Sequence, residues 1–138
     1  MKKILFLLFP IISFAQSESE IKALDFQNTI RFYNFLDPLA YCDTLSTNAQ
    51  EWAEHLAKTD NLRVSKDVFG ENVYSVKKIS KTIMPNFNHA VDAAVFWATT
   101  NEDALEQIIN PEATKIGFGI SENKYKYFIV AKYNNIIE

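Results

Sequence analysis

Few residue types in this chain are suited to chemistry, and they gather around one carboxylate. Glu71 stands in Gly70-Glu71-Asn72-Val73-Tyr74, where a polar loop turns into an apolar, strand-like run. A carboxylate at that turn has two readings: a general base, or an acceptor of backbone N–H bonds that braces the turn. No imidazole neighbours it in the motif, which favours the brace. Asn72 has the short amide side chain that bonds nearby backbone. In the first helical stretch, Asn28 and Arg31 face either a cleft or Glu71, and an arginine fork on a carboxylate is sound chemistry.

Other chemistries find little support. There is no Gly-x-Ser-x-Gly elbow, and with only three glycines there is no phosphate-binding loop. Cys42 is the single cysteine, so no internal disulfide is possible, and it reads as a small core residue rather than a nucleophile. His55 and His89 read as solvated helix residues. Trp52 and Trp97 fall at core spacing. Tyr125, Tyr127 and Tyr133 alternate along the last strand and read as sheet packing, with Phe128, Val130 and Lys132 on the other face. Lys77, Lys78 and Lys81 read as a solvated loop.

The elements that must position these residues follow from periodicity. Asp25 to Leu36 repeats apolar residues at helical spacing and stops at Asp37-Pro38. Residues 16–24, polar and acidic, read as a flexible lead-in, and Leu39 to Asp43 as a connector. Leu45, Ala49, Trp52, Ala53, Leu56 and Ala57 form the clearest amphipathic helix, with Asp43, Thr44 or Ser46 as its cap. A loop from Thr59 to Phe69 precedes a short strand over Asn72 to Val76. A buried helix carries Ala90 to Ala98, starting near Asn86 or Asn88. A short helix spans Ala104 to Ile109 behind a Thr100 or Asn101 cap. Two strand-like runs, Ile116 to Ile120 and Tyr125 to Tyr133, close the chain as a hairpin. Three main helices and a short one with a few strands predict an α/β fold, an α-β-α sandwich over a small sheet.

The N-terminus reads as a signal peptide over residues 1–15: Lys2 and Lys3, an apolar run from Ile4 to Phe14, then Ala15. That run is shorter than the ~20 residues of a membrane span. The expected product is exported, to the periplasm or beyond the cell, with no stable membrane insertion after cleavage. Cleavage also removes two lysines, so the formal charge of −3 becomes more negative. Such a balance offers no electrostatic attraction for nucleic acid or an anionic membrane.

Six stretches in order resemble the CAP superfamily, the SCP-like extracellular domain of cysteine-rich secretory proteins and many small bacterial exported proteins. They are Gln27-Asn28-Thr29-Ile30-Arg31, with Gln27 where the family has histidine; Pro38-Leu39 with the Ala49 to Ala57 helix; Gly70-Glu71-Asn72; Trp97; Asn110-Pro111 through Gly119; and Tyr127 to Tyr133. The match spans residues 25–134, leaving 135–138 as a tail. The resemblance implies an α-β-α sandwich whose sheet is mainly antiparallel, with a shallow cleft that in the family can hold zinc on two histidines and one or two glutamates. Glu71 matches one glutamate. The histidine positions fall on Val64 and Ala104, and the second glutamate position on Thr100. A lone carboxylate seldom holds such a metal. The reading is therefore a domain with a degenerate metal site, no metal and no cofactor, that binds a lipid, a glycan or an exported protein. The alternatives are a weak hydrolase or metal-dependent enzyme using Glu71 with Gln27, Asn28 or Arg31, and an envelope structural or interaction protein.

Overall fold

The computed structural model describes residues 17–78 and 89–137. The expected signal peptide, Lys81 and the expected start of the third helix lie outside the described residues. The elements run α1 (Glu18–Tyr33), β1 (Ala40–Tyr41), α2 (Asp43–Thr59), β2 (Phe69–Lys77), α3 (His89–Thr99), α4 (Glu102–Ile108), β3 (Lys115–Glu122) and β4 (Lys126–Ile136). The four strands form one sheet in the order β1-β3-β4-β2. β1 runs parallel to β3, and β4 is antiparallel to both of its neighbours.

β4 divides the interior. Its alternating residues point to opposite faces, as strand geometry requires. Ile129, Ala131 and Tyr133 join the core beneath α1, α3 and α4, together with Trp97, Ile108, Ile116 and Phe118. Phe128 and Val130 join the core beneath α2, with Ala49, Ala53 and Leu56. The result is helices on both faces of a small, mainly antiparallel sheet, the expected sandwich.

Two close approaches set the α2 layer. A Cβ at Gly117 would overlap the backbone of Leu45 and Ser46, and one at Gly119 the backbone of Ala49 and Gln50. Glycine is needed at both because the helix backbone rests on the strand. The same contact covers the sheet edge that β1 leaves after two residues. The Phe118 N–H donates to Ser46 Oγ (3.2 Å), and Gln50 exchanges two bonds with Ile120, each 2.9 Å. Side chains one helical turn apart thus replace the missing strand and protect the edge. On the other face, Trp97 donates to the Val73 carbonyl (2.9 Å) and Tyr74 to Asp92 (2.6 Å), fixing α3 to β2. Burial and the Asp92 carboxylate push the Tyr74 phenol up to about 12.

Several sequence expectations change. α1 begins at Glu18, inside the stretch read as a lead-in, because Ser17 and Glu20 form a capping box and the acidic residues suit a helix N-terminus. α2 is capped by Cys42 without a side-chain bond, and Cys42 is half-buried rather than core. Ser46 is spent on β3 instead. Trp52 is also only half-buried. β2 starts at Phe69, and β4 continues past Tyr133 to Ile136. Tyr125 precedes β4 and is exposed, while Tyr127 and Tyr133 pack inward.

Gly119→Ala should lower stability by about 1–3 kcal/mol, the usual range for forcing extra volume into a packed contact. Urea unfolding measures the loss, and a variant as stable as the parent would show that α2 can move away at little cost.

Candidate functional site

Glu71 lies at the start of β2 with its side chain 3% exposed. The Ser65 N–H donates to Oε1 at 2.9 Å, and the Ser65 hydroxyl donates to Oε2. Across the strand pair, Lys132 is the register partner of Glu71 and brings its ammonium within 4.0 Å of Oε2. That ammonium donates to Asp67 Oδ2 at 2.9 Å. Lys132 is itself buried. A buried ammonium set between two carboxylates neutralises the charge that Glu71 would otherwise offer to a ligand. The carboxylate holds the loop between α2 and β2 against the sheet, with both oxygens occupied.

Asn72, the next residue, points to the opposite face. Its Nδ2 donates to the Ala104 carbonyl (3.0 Å) and lies 3.4 Å from the Tyr133 hydroxyl, which donates to Gln27 Oε1 at 2.7 Å. All of these side chains are buried. Burial pushes the Tyr133 phenol far above its ordinary value, so it remains a neutral donor. The cluster ties α1, β2, β4 and α4 together through one phenol. Gln27 Nε2 finds no hydrogen-bond partner among the described residues.

Asn28 and Arg31 direct their hydrogen bonds to backbone groups rather than to Glu71. Asn28 exchanges two bonds with the backbone of Leu39, at 2.7 and 3.1 Å. Arg31, 1% exposed, spends its guanidinium on four carbonyls: Asp37 at 2.8 Å, Ile108 at 2.9 Å, Asn110 at 2.8 Å and Ala113 at 2.9 Å. Burial lowers its pKa from the ordinary guanidinium value.

The positions matched to the family's ligands carry hydrocarbon or hydroxyl groups. Val64 is exposed, Thr100 is exposed, and Ala104 is buried with its carbonyl accepting from Asn72. His55 stacks on Trp52, with ring centres 4.9 Å apart, and its Nε2 lies 3.1 Å from the Arg63 guanidinium. His89 stacks on Tyr127 at 3.9 Å, on the opposite face of the sheet from α2. Among the described residues, no three His, Cys, Asp or Glu side chains come together as a possible metal group. A donor set reduced to Glu71, already bonded to Ser65 and beside Lys132, does not fit a zinc ion.

Sequence reasoning missed Lys132, Asp67 and Ser65. The signal for Lys132 was present: alternation placed this charged residue on the same face as Phe128 and Val130, which bury. A lysine on a core face needs an anion, and Glu71 lies directly across the ladder. Asp67 and Ser65 gave no such signal, because they sit in an aperiodic loop.

The Lys132 hydrogen bond holds the Asp67 carboxyl below the usual carboxylate range, against the opposing effect of burial, with further help from the Val68 N–H. A carboxyl whose folded pKa is depressed adds stability above its unfolded pKa of about 4, and loses it as pH falls through the folded value. Asp67→Asn should therefore cost about 1 kcal/mol at neutral pH, after allowance for solvent screening, and match the parent in strong acid. Lys132→Met, which leaves two carboxylates without their cation, should cost about 3 kcal/mol or more. Chemical unfolding across pH checks both.

The fold recurs in solved structures. An outer surface protein of Borrelia burgdorferi superposes with a TM-score of 0.63 at 17% identity, covering 87% of this chain and 95% of that one. Schistosoma mansoni venom allergen-like protein 4 gives 0.63 at 15%, covering 88% and 91%. NaASP2, crystallised with Zn2+, gives 0.63 at 15%, covering 88% and 82%. No curated protein sequence matches. The model of the cysteine-rich secretory protein family, CAP, matches residues 24–133, and the chain belongs to that family.

Proposed function

We propose that this is an exported, non-enzymatic CAP domain that acts by binding, its family metal site having degenerated. The observation that carries the reading is the state of Glu71. The carboxylate that matches the family's ligand accepts two bonds from Ser65 and faces an internal cation, Lys132. The positions that would supply imidazoles hold Val64 and Ala104. A general base needs a free lone pair aimed at a substrate proton, and a metal needs several converging donors. Glu71 serves the loop instead.

Export is supported by the lysine, apolar and small-residue order of the first fifteen positions. Among the described residues, no helix is long and apolar enough to cross a membrane. The partner belongs to one of three classes: a lipid, a glycan or another exported protein.

Calorimetric titration of zinc into the purified protein, beside a Glu71→Ala variant, tests the reading. The expected result is no uptake by either protein. Tight uptake by the parent that disappears in Glu71→Ala would overturn it. A thermal-shift screen of lipids and glycans then looks for the ligand, which raises the melting temperature if it binds the native state alone.

A further inference from the structure

The loop joining α2 to β2 does more than cover Glu71. It runs beside α2, where the Trp52 indole donates to the Arg63 carbonyl (3.0 Å), and it ends against the last strand, where the Ile137 N–H donates to the Val68 carbonyl (2.7 Å). Along this path Leu62, Val64 and Val68 turn outward, with Val64 58% exposed. Ile136 and Ile137 extend the same stripe, at 62% and 57%. The half-buried Trp52 borders it, and an indole with one apolar and one hydrogen-bonded end suits the boundary between water and lipid.

The charges along the stripe are sorted by sign. Its two aspartates are paired within the protein: Asp60 with Lys126 at 3.3 Å, and Asp67 at 2.9 Å with Lys132, an ammonium it shares with Glu71. Its two cations, Arg63 and Lys66, are exposed, and neither belongs to an ion pair among the described residues. The acidic residues of this region collect elsewhere. Glu20, Asp43, Glu51 and Glu54 surround a recess of about 230 Å³, floored by Tyr41 and Phe118, between α2 and the N-terminal end of α1. Asp43 and Glu54 lie on the flank of α2 away from Trp52.

Net charge alone argues against an anionic surface as partner. A surface feels only the charges within about a Debye length, roughly 8 Å at physiological salt, and the face nearest the stripe presents cations. Exposed aliphatic residues interleaved with unpaired cations complement a bilayer that carries negative headgroups.

We propose that the stripe from Leu62 to Val68, with Ile136 and Ile137, docks this domain on an anionic phospholipid surface. The proposal rests on the binding reading above and names its partner. Lys66 and Arg63 attract the headgroups, while Val64 and its apolar neighbours enter the interface. The rest of the domain stays in water.

Co-sedimentation with phosphatidylcholine vesicles, with and without phosphatidylglycerol, tests it. The purified protein should partition onto the phosphatidylglycerol vesicles, and added salt should release it. Arg63→Gln and Lys66→Gln should each weaken partition about five-fold. Val64→Ser should weaken it as well, while Glu51→Gln, facing the recess, should not. Equal partition onto both vesicle types, or glutamine variants that bind like the parent, would overturn the proposal. Absence of vesicle binding in a protein that still takes up a ligand in the thermal-shift screen would overturn the docking and leave the binding reading standing. Tight zinc uptake dependent on Glu71 would instead overturn the binding reading.

Discussion

The structure depends on one buried cation that forms no ion pair among the described residues. Arg31, in the last turn of α1, gathers the carbonyls of Asp37, Ile108, Asn110 and Ala113. These belong to the chain leaving α1, the end of α4 and the turn that leads into β3. Helix ends leave carbonyls without internal partners, and in the interior such acceptors need donors. A guanidinium supplies several in a fixed plane, which an ammonium cannot match. One side chain therefore sets where α1 lies relative to the strand that carries Gly117 and Gly119, and through those glycines where α2 lies.

The same use of polar groups recurs through the domain. Asn28 holds Leu39, Asn72 holds Ala104, Tyr133 holds Gln27, and Glu71 holds Ser65. Each of these residues has the chemistry of an active site and an internal partner instead. Lys132 completes the pattern by placing an ammonium beside Glu71. Burying a lysine is costly unless anions offset its desolvation, and Asp67 and Glu71 provide them. A domain so arranged has its exposed chemistry on loops and helix flanks. There the Leu62 to Val68 stripe and the acidic recess carry opposite charge.

Much of the fold was legible in the residues. The spacing of Leu45, Ala49, Ala53 and Leu56 located α2 and its buried face. The strand-like run from Tyr125 to Tyr133 located β4, which the structure places between two helical layers. The helical start at Glu18 was hidden because its capping box lies in an acidic stretch with few apolar residues, where periodicity has little to report. The role of Ser46 was hidden as well, because a helix-start serine ordinarily caps its own helix. At the site, the absence of imidazoles at Val64 and Ala104 was plain in the sequence. The destinations of Arg31 and Asn28 were not: their acceptors are backbone carbonyls and amides, which any residue type supplies and no pattern marks.

The central claim is that the polar residues of the family motifs hold this domain together rather than serve a reactive cleft. Urea unfolding of Arg31→Met tests it most directly, because that change removes the donors from four carbonyls, those of Ile108 and Ala113 in buried bonds, and little volume. A loss of about 3 kcal/mol or more is predicted, since each acceptor left without a partner costs about 1–3 kcal/mol. A variant within about 0.5 kcal/mol of the parent, the range of ordinary surface changes, would contradict the claim.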